Sequence, residues 1–161
     1  MRAITVSAPA RLHLGFVDLN GSLGRKYGSI GLAVDQPATT LTVRPAPEFR
    51  ASGAEAERAE KALRRFAGLF AADNTYEVDV QSAIPAHAGL GSGTQWALAI
   101  CAAVLKLSGS EASASMLGEV VERGARSAIG ITAFERGGFI VDGGRGTSGH
   151  PPPTVVRLDF P

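Results

Sequence analysis

The stretch from Tyr76 to Leu107 constrains the fold of this chain most, because it joins three local patterns in a fixed order. Residues 76–80 alternate apolar and polar side chains, the period of a half-buried strand, and Pro85 ends such a strand because proline has no amide hydrogen. Glycines then recur through residues 89–94. From Gln95 to Leu107 the residues are mostly apolar and rich in alanine, which predicts a buried helix too short to span a bilayer. We therefore expect a strand, a glycine loop and a helix in direct succession.

A glycine loop that opens a helix is suited to binding an anion. The first four amides of a helix have no partner inside it, and the aligned peptide dipoles add partial positive charge there. Glycines, Gly91 among them, let the backbone approach a phosphate closely, and the hydroxyls of Ser92 and Thr94 can donate to a ligand or cap the helix. A Walker A loop is excluded because it ends in Gly-Lys-Ser/Thr, and a Rossmann turn needs an acidic residue at a following strand end, whereas Glu111 lies beyond the helix. An ordinary capping loop stays open as the alternative.

Composition indicates a globular protein without an electrostatic field for nucleic acid or membranes. The chain has 161 residues, of which 45% are hydrophobic and 19% charged, with a net charge of +1. The single cysteine, Cys101, falls inside the apolar helix and is predicted to be a core residue. We see no signal peptide or transmembrane run, and we expect a cytoplasmic protein with small-molecule partners, not nucleic acid or a membrane.

Hydrophobic periodicity predicts an α+β fold in two layers. In the segment 10–16, Leu12 and Leu14 share one face of a strand, and Arg11 and His13 share the other. Strands are predicted at 3–7, 10–16, 39–44, 76–80 and 137–144, and helices at 54–71, 95–107 and 113–123, with a further short helix within 124–135.

We interpret residues 1–161 as a single domain that belongs to a longer protein. The triple proline at 151–153 resembles a semi-rigid connector, and the apolar segment 154–160 reads as the start of another strand. We therefore expect a C-terminal domain to be missing from this chain. We also expect a homo-oligomer, formed through the 154–160 edge.

Three stretches resemble the GHMP kinase superfamily and, within it, the β-ribofuranosylaminobenzene 5′-phosphate synthases. They run from Arg11 to Leu32, from Gly89 to Gln95 (Gly-Leu-Gly-Ser-Gly-Thr-Gln) and from Arg123 to Gly144. The resemblance implies a ribosomal protein S5 domain 2-like fold with a left-handed βαβ crossover. It also implies phosphoribosyl transfer from phosphoribosyl pyrophosphate to 4-hydroxybenzoate or 4-aminobenzoate, with loss of CO2 and pyrophosphate, in methanopterin biosynthesis.

This chemistry suggests roles for residues to which the sequence patterns alone assign no function. The candidates for catalysis are Arg11, His13 and Arg126; those for binding phosphate are Gly89, Leu90, Gly91, Ser92, Gly93 and Thr94; those for binding substrate are Arg25, Lys26 and His87. Arginine suits bidentate contact with phosphate. A magnesium ion is implied only through a diphosphate ligand, because no Cys/His cluster supports a protein metal site, and no organic cofactor is expected.

One departure weakens a kinase interpretation of the same resemblance. GHMP kinases carry Ser-Gly-x-Asp, whose carboxylate helps to accept a hydroxyl proton, whereas this chain has Ser127-Ala128-Ile129-Gly130. A GHMP-type kinase that uses ATP at the same loop remains an alternative. A non-catalytic domain that binds phosphorylated metabolites is the other.

Overall fold

The computed structural model describes residues 2–22, 24–71, 73–147 and 149–160, so both ends of the predicted 1–161 domain lie outside the described residues. Its elements follow the chain as β1 (Ile4–Asp18), β2 (Tyr27–Pro45), β3 (Arg50–Gly53), α1 (Ala56–Phe70), β4 (Tyr76–Ser82), α2 (Ser92–Leu107), α3 (Ala114–Val120), α4 (Ile129–Arg136), β5 (Phe139–Asp142) and β6 (Thr154–Leu158). No helix in the described part of the chain is long and apolar enough to cross a membrane.

The strands of the described residues form one mixed sheet. Its strands follow the order β3-β4-β2-β5-β6, and β1 pairs with β2 along nearly its full length. All the pairs are antiparallel except β3 with β4, which α1 connects. This architecture confirms the predicted α+β fold; the handedness of the crossover stays a prediction.

The long hairpin of β1 and β2 replaces elements that the sequence predicts as separate strands. The segments 3–7 and 10–16 form one strand that shifts register between Pro9 and Ala10 and again between His13 and Gly15. The short strand β3 has no alternating pattern of its own. Its conformation depends on pairing with β4, which approaches so closely that a Cβ at Gly53 would lie 2.1 Å from the Val80 carbonyl oxygen.

The core lies between the helices and the half of the sheet that contains β4. The predicted core positions of α2 are all buried: Trp96, Leu98, Ile100, Cys101, Val104 and Leu105. They pack with α1 residues such as Leu63 and Phe66 and with strand residues such as Leu41 and Val78. Burial raises the pKa of the Cys101 thiol to about 12, as expected for a core cysteine.

The outer face of the sheet changes character along its length. In the half near β4, a polar row of Thr5, Thr42, Asp79 and Ser52 crosses four strands, with hydrogen bonds of 2.9 Å between the two threonine hydroxyls and 2.6 Å from Ser52 to Asp79.

The other half of this face carries an apolar row, which we define as Leu12, Leu32, Phe139 and Leu158 in adjacent register. Helix α4 packs on the opposite face of these strands, where Ile129 and Ala133 contact Ile140 and Ala33. Two members of the row are exposed in the described part of the chain, Leu12 by 38% and Leu158 by 56%.

Candidate active site

The glycine loop leads directly into α2, as the sequence predicts, but the helix begins three residues earlier, at Ser92. Gly91 is the N-cap residue, in the left-handed conformation with φ of 79°, and no described side chain caps the helix. The first hydrogen bonds of the helix are donated by the amides of Thr94 and Gln95 to the Gly91 carbonyl, at 3.0 and 3.1 Å. Among the described residues, nothing accepts a hydrogen bond from the amides of Ser92 and Gly93. The loop therefore presents free donors at the positive end of a helix dipole.

Arg11 fixes the loop to the edge strand β1. Its backbone amide donates to the Leu90 carbonyl at 3.0 Å, and its Nη1 donates to the Gly89 carbonyl at 2.8 Å. The Nε atom is buried without a hydrogen-bond partner among the described residues, and burial lowers the pKa of this guanidinium. The side chain also fills the space beside Gly91, where a Cβ would lie 3.1 Å from three of its atoms. The contact made by Gly91 is therefore with Arg11, so its replacement would test packing before it tested ligand binding.

Two further arginines, Arg58 of α1 and Arg123 after α3, reach the same place. A Cβ built at Gly93 would lie 3.5 Å from Nη2 of Arg123 and 3.7 Å from Nη2 of Arg58. Arg58 is also paired with Glu55 at 2.6 Å and lies over the Trp96 ring, 5.3 Å from its centroid. Neither residue is predicted as part of the site from the sequence, because Arg58 looks like part of the solvated face of α1 and Arg123 follows a weak helix. The only signal was that Arg123 begins one of the stretches that carry the family resemblance.

These residues line one open cleft of about 500 Å³, which we call the anion cleft. Its lining consists of Arg11, Arg58, Ala86, His87, Gly89, Gly91, Ser92, Gly93, Thr94 and Arg123. His87 lies there in a left-handed conformation with φ of 61°. Among the described residues, three guanidinium groups and no carboxylate line the cleft, so its charge favours an anionic ligand.

Helix α4 forms a support beneath the cleft. Gln95 Nε2 donates to the Gly130 carbonyl at 2.8 Å, and a Cβ at Gly130 would lie 3.1 Å from the Thr94 methyl group. Gly130 is thus small because α2 approaches closely at this point. Gly130, which occupies the position of the kinase aspartate, therefore has a packing role.

Asp142 at the end of β5 holds the start of α4 in place, a role that the sequence does not predict. Its carboxylate is 2% exposed and accepts four hydrogen bonds of 2.9–3.1 Å. The donors are the amides of Ser29, Ala128 and Gly144 and the hydroxyl of Ser127. Because its carboxylate already accepts four hydrogen bonds, Asp142 has a structural role.

The other predicted site residues lie elsewhere. The guanidinium of Arg25 donates hydrogen bonds to the carbonyls of Gly143 and Gly144, at 2.8–3.0 Å. Lys26 lines a second cleft together with Tyr27 and Arg145. Arg126 is exposed and is not part of the anion cleft.

His13 lies on the same strand as Arg11, two residues further along. Its pKa is lowered by burial and by the charge of Arg11, which together outweigh the opposing effect of Asp142. The imidazole is thus kept neutral near pH 7, and its Nε2 atom is buried with no hydrogen-bond partner in the described part of the chain.

Comparison with known proteins gives three consistent similarities. Residues 55–138 match the family model for the N-terminal domain of GHMP kinases. Over 98% of its length the chain is 35% identical to beta-ribofuranosylphenol 5′-phosphate synthases from Methanothermobacter thermautotrophicus and Archaeoglobus fulgidus, covering 55% and 54% of those proteins. The chain thus spans about half the length of these relatives. The crystal structure of the Methanococcus jannaschii mevalonate kinase matches 87% of the chain and 53% of its own chain with a TM-score of 0.64 and 16% identity, a likeness of fold alone.

Proposed function

The chain belongs to the GHMP kinase superfamily and matches the N-terminal domain of that family. From that premise we propose that it is the pyrophosphate-binding part of a decarboxylating phosphoribosyl transferase. The donor would be phosphoribosyl pyrophosphate and the acceptor 4-hydroxybenzoate. We favour the hydroxy acid over 4-aminobenzoate because the similar enzymes are named for a ribofuranosylphenol product. In this proposal the reaction serves methanopterin biosynthesis.

The observation that carries this proposal is the composition of the anion cleft. Arg11, Arg58 and Arg123 line it beside the amides of Ser92 and Gly93, which have no acceptor in the part of the chain that the structure describes, and no described lining residue is a carboxylate. A transferase that expels pyrophosphate must stabilise negative charge on the leaving group, which guanidinium groups and helix amides do. A kinase that activates a hydroxyl group benefits from a carboxylate base, and the described lining residues offer none.

The proposed reaction balances without a base or a redox partner. The ring carbon that bears the carboxylate forms a bond to the anomeric carbon of the ribose, and the bond from the anomeric carbon to pyrophosphate breaks. Pyrophosphate leaves with the electron pair, and CO2 leaves as its bonding pair returns to the ring. The arginines would hold the pyrophosphate and lower the energy of its developing charge, while binding both substrates brings the two carbons together.

We propose that magnesium enters only with the diphosphate. The residues that line the anion cleft supply no carboxylate, so the diphosphate oxygens would be its main ligands. The ion would neutralise part of the pyrophosphate charge. The highly charged substrates do not cross membranes, so we propose the cytoplasm as the compartment.

We expect Arg123→Gln to weaken the binding of inorganic pyrophosphate by about tenfold or more, since a hydrogen bond to a charged group contributes about 1.5–3 kcal/mol. Arg58→Gln should have a similar but smaller effect, because Arg58 is already paired with Glu55. The measurement is calorimetric titration with pyrophosphate and with phosphoribosyl pyrophosphate.

The matched control is Arg50→Gln, which removes an exposed arginine paired with Glu48 outside the cleft. It should bind like the wild type. If folded Arg123→Gln and Arg50→Gln proteins bound pyrophosphate with equal affinity, the proposal that the arginines of the cleft bind pyrophosphate would be wrong.

An ATP-dependent kinase is the second candidate, supported by the match of residues 55–138 to the family model for the N-terminal domain of GHMP kinases. The same titration separates the two functions. Tight binding of ATP, together with no heat from phosphoribosyl pyrophosphate, would favour the kinase.

We also propose that the chain self-associates through the apolar row Leu12–Leu32–Phe139–Leu158. An uncovered apolar sheet face beside an edge strand is a typical interaction surface. Leu158→Lys should shift the population toward monomer in light scattering, because it places a charge in that interface. Thr5→Lys, in the polar row of the same sheet face, is the control that should leave the population unchanged. A clean monomer at high concentration for the unmodified chain would contradict the proposal.

A further inference from the structure

A bulge in β1 builds a row of three aromatic rings beside the anion cleft. In an unbroken strand, residues three apart point to opposite faces. The register shift between His13 and Gly15 brings Phe16 to the side of His13, with their ring centroids 4.7 Å apart and tilted by 60°. Tyr27, across the hairpin on β2, continues the row at 5.4 Å from Phe16.

The row is a surface and not a part of the core. Phe16 is 42% exposed, and the residues of the core clusters do not include any of the three rings. Tyr27 has φ of 77°, a conformation that costs energy for any residue other than glycine. Strain of this kind in an ordered strand is often kept where a side chain must take a defined position for function.

Unsatisfied polar atoms lie beside the rings. The Nε2 atom of His13 is buried without a partner among the described residues, and so is the hydroxyl of Ser29, which is opposite Phe16 in the strand register. Buried polar groups usually have partners, so the end of the row near His13 and Ser29 contains polar atoms that the described residues leave unsatisfied.

One end of the row, His13, lies near the anion cleft, and the other end, Tyr27, lines the second cleft. Arg11 lines the cleft and lies two residues before His13, close enough that its charge lowers the pKa of the imidazole. A neutral imidazole can lie beside an apolar ring without the cost of burying a charge.

We propose that the row His13–Phe16–Tyr27 is the surface on which the aromatic acid stacks, and that it selects an aromatic over a saturated acceptor. This inference rests on the proposed function and deepens it, since it assigns the acceptor ring to named residues. Aromatic pairs favour offset or tilted contacts at such centroid distances, and stacking on a protein ring is a strong source of affinity for planar ligands.

The test titrates the protein with 4-hydroxybenzoate in the presence of saturating inorganic pyrophosphate. Phe16→Leu should weaken binding of the acid by about tenfold and leave the affinity for pyrophosphate unchanged. Phe16→Tyr keeps the ring and should restore the affinity. Val17→Ala, on the opposite face of the same strand and also exposed, is the matched control and should change neither affinity.

A second measurement does not depend on any variant. The saturated analogue trans-4-hydroxycyclohexanecarboxylate has the same charge but no aromatic ring, and it should bind the unmodified protein at least tenfold more weakly than 4-hydroxybenzoate. Equal affinities for the two acids, or no effect of Phe16→Leu in a folded protein, would overturn the inference. Binding of pyrophosphate without any binding of 4-hydroxybenzoate would also overturn it, whereas failure to bind pyrophosphate would overturn the proposed function itself.

Discussion

Gly93→Ala is expected to stabilise the fold and to weaken the binding of pyrophosphate by more than tenfold. Gly93 lies in the first turn of α2, without the positive φ that would strain an alanine, and a helical alanine is favoured over glycine by up to about 1 kcal/mol. The added methyl group would lie between the guanidinium groups of Arg58 and Arg123. An anion held by both arginines and by the Gly93 amide needs that space, so the loss should exceed about 1.4 kcal/mol.

The opposite signs of the two effects make this variant informative, because a loss of binding cannot then come from unfolding. The measurements are thermal unfolding and calorimetric titration with pyrophosphate. Gly68→Ala in α1 is the matched control: a Cβ there would meet no atom within 4 Å, so it should stabilise the protein without changing binding. A stabilised Gly93→Ala protein with wild-type affinity would show that the anion does not lie between the two arginines.

Asp142→Ala is expected to lower the free energy of unfolding by about 3–5 kcal/mol, because it leaves three buried backbone amides without their acceptor. The amides are those of Ser29, Ala128 and Gly144. Since Asp142 also anchors the start of α4, on which Thr94 and Gln95 rest, the affinity for pyrophosphate should fall as well.

Urea unfolding of Asp142→Ala against Asp159→Ala tests this expectation. Asp159 is exposed and pairs only with Arg157 among the described residues, so its removal should change stability by less than about 0.5 kcal/mol. A similar small change for both variants would show that the four hydrogen bonds of Asp142 do not hold β5 to α4.

Local patterns in the sequence determined the elements whose side chains repeat at regular intervals. The alternation around Tyr76 predicts β4, the alanine-rich run that contains Val104 predicts the buried helix α2, and the glycines of residues 89–94 place the loop between them. The placing of Arg11 and His13 on one strand face, opposite Leu12, is also confirmed, because a strand has a fixed period of two. Each of these patterns depends on neighbours close in the chain.

Only the tertiary structure decided which charged residues meet. Arg58 and Arg123 belong to elements that are separated in sequence, and they converge on Gly93 because α1 and the end of α3 both pack near the start of α2. Asp142 looks like the end of a short strand until its donors from β2 and α4 surround it. Periodicity reports which way a side chain faces on its own element, whereas the partners of a side chain depend on how distant elements pack. For that reason the glycine loop and Arg11 could be found from the sequence, whereas the two arginines that join Arg11 in the cleft, Arg58 and Arg123, could not.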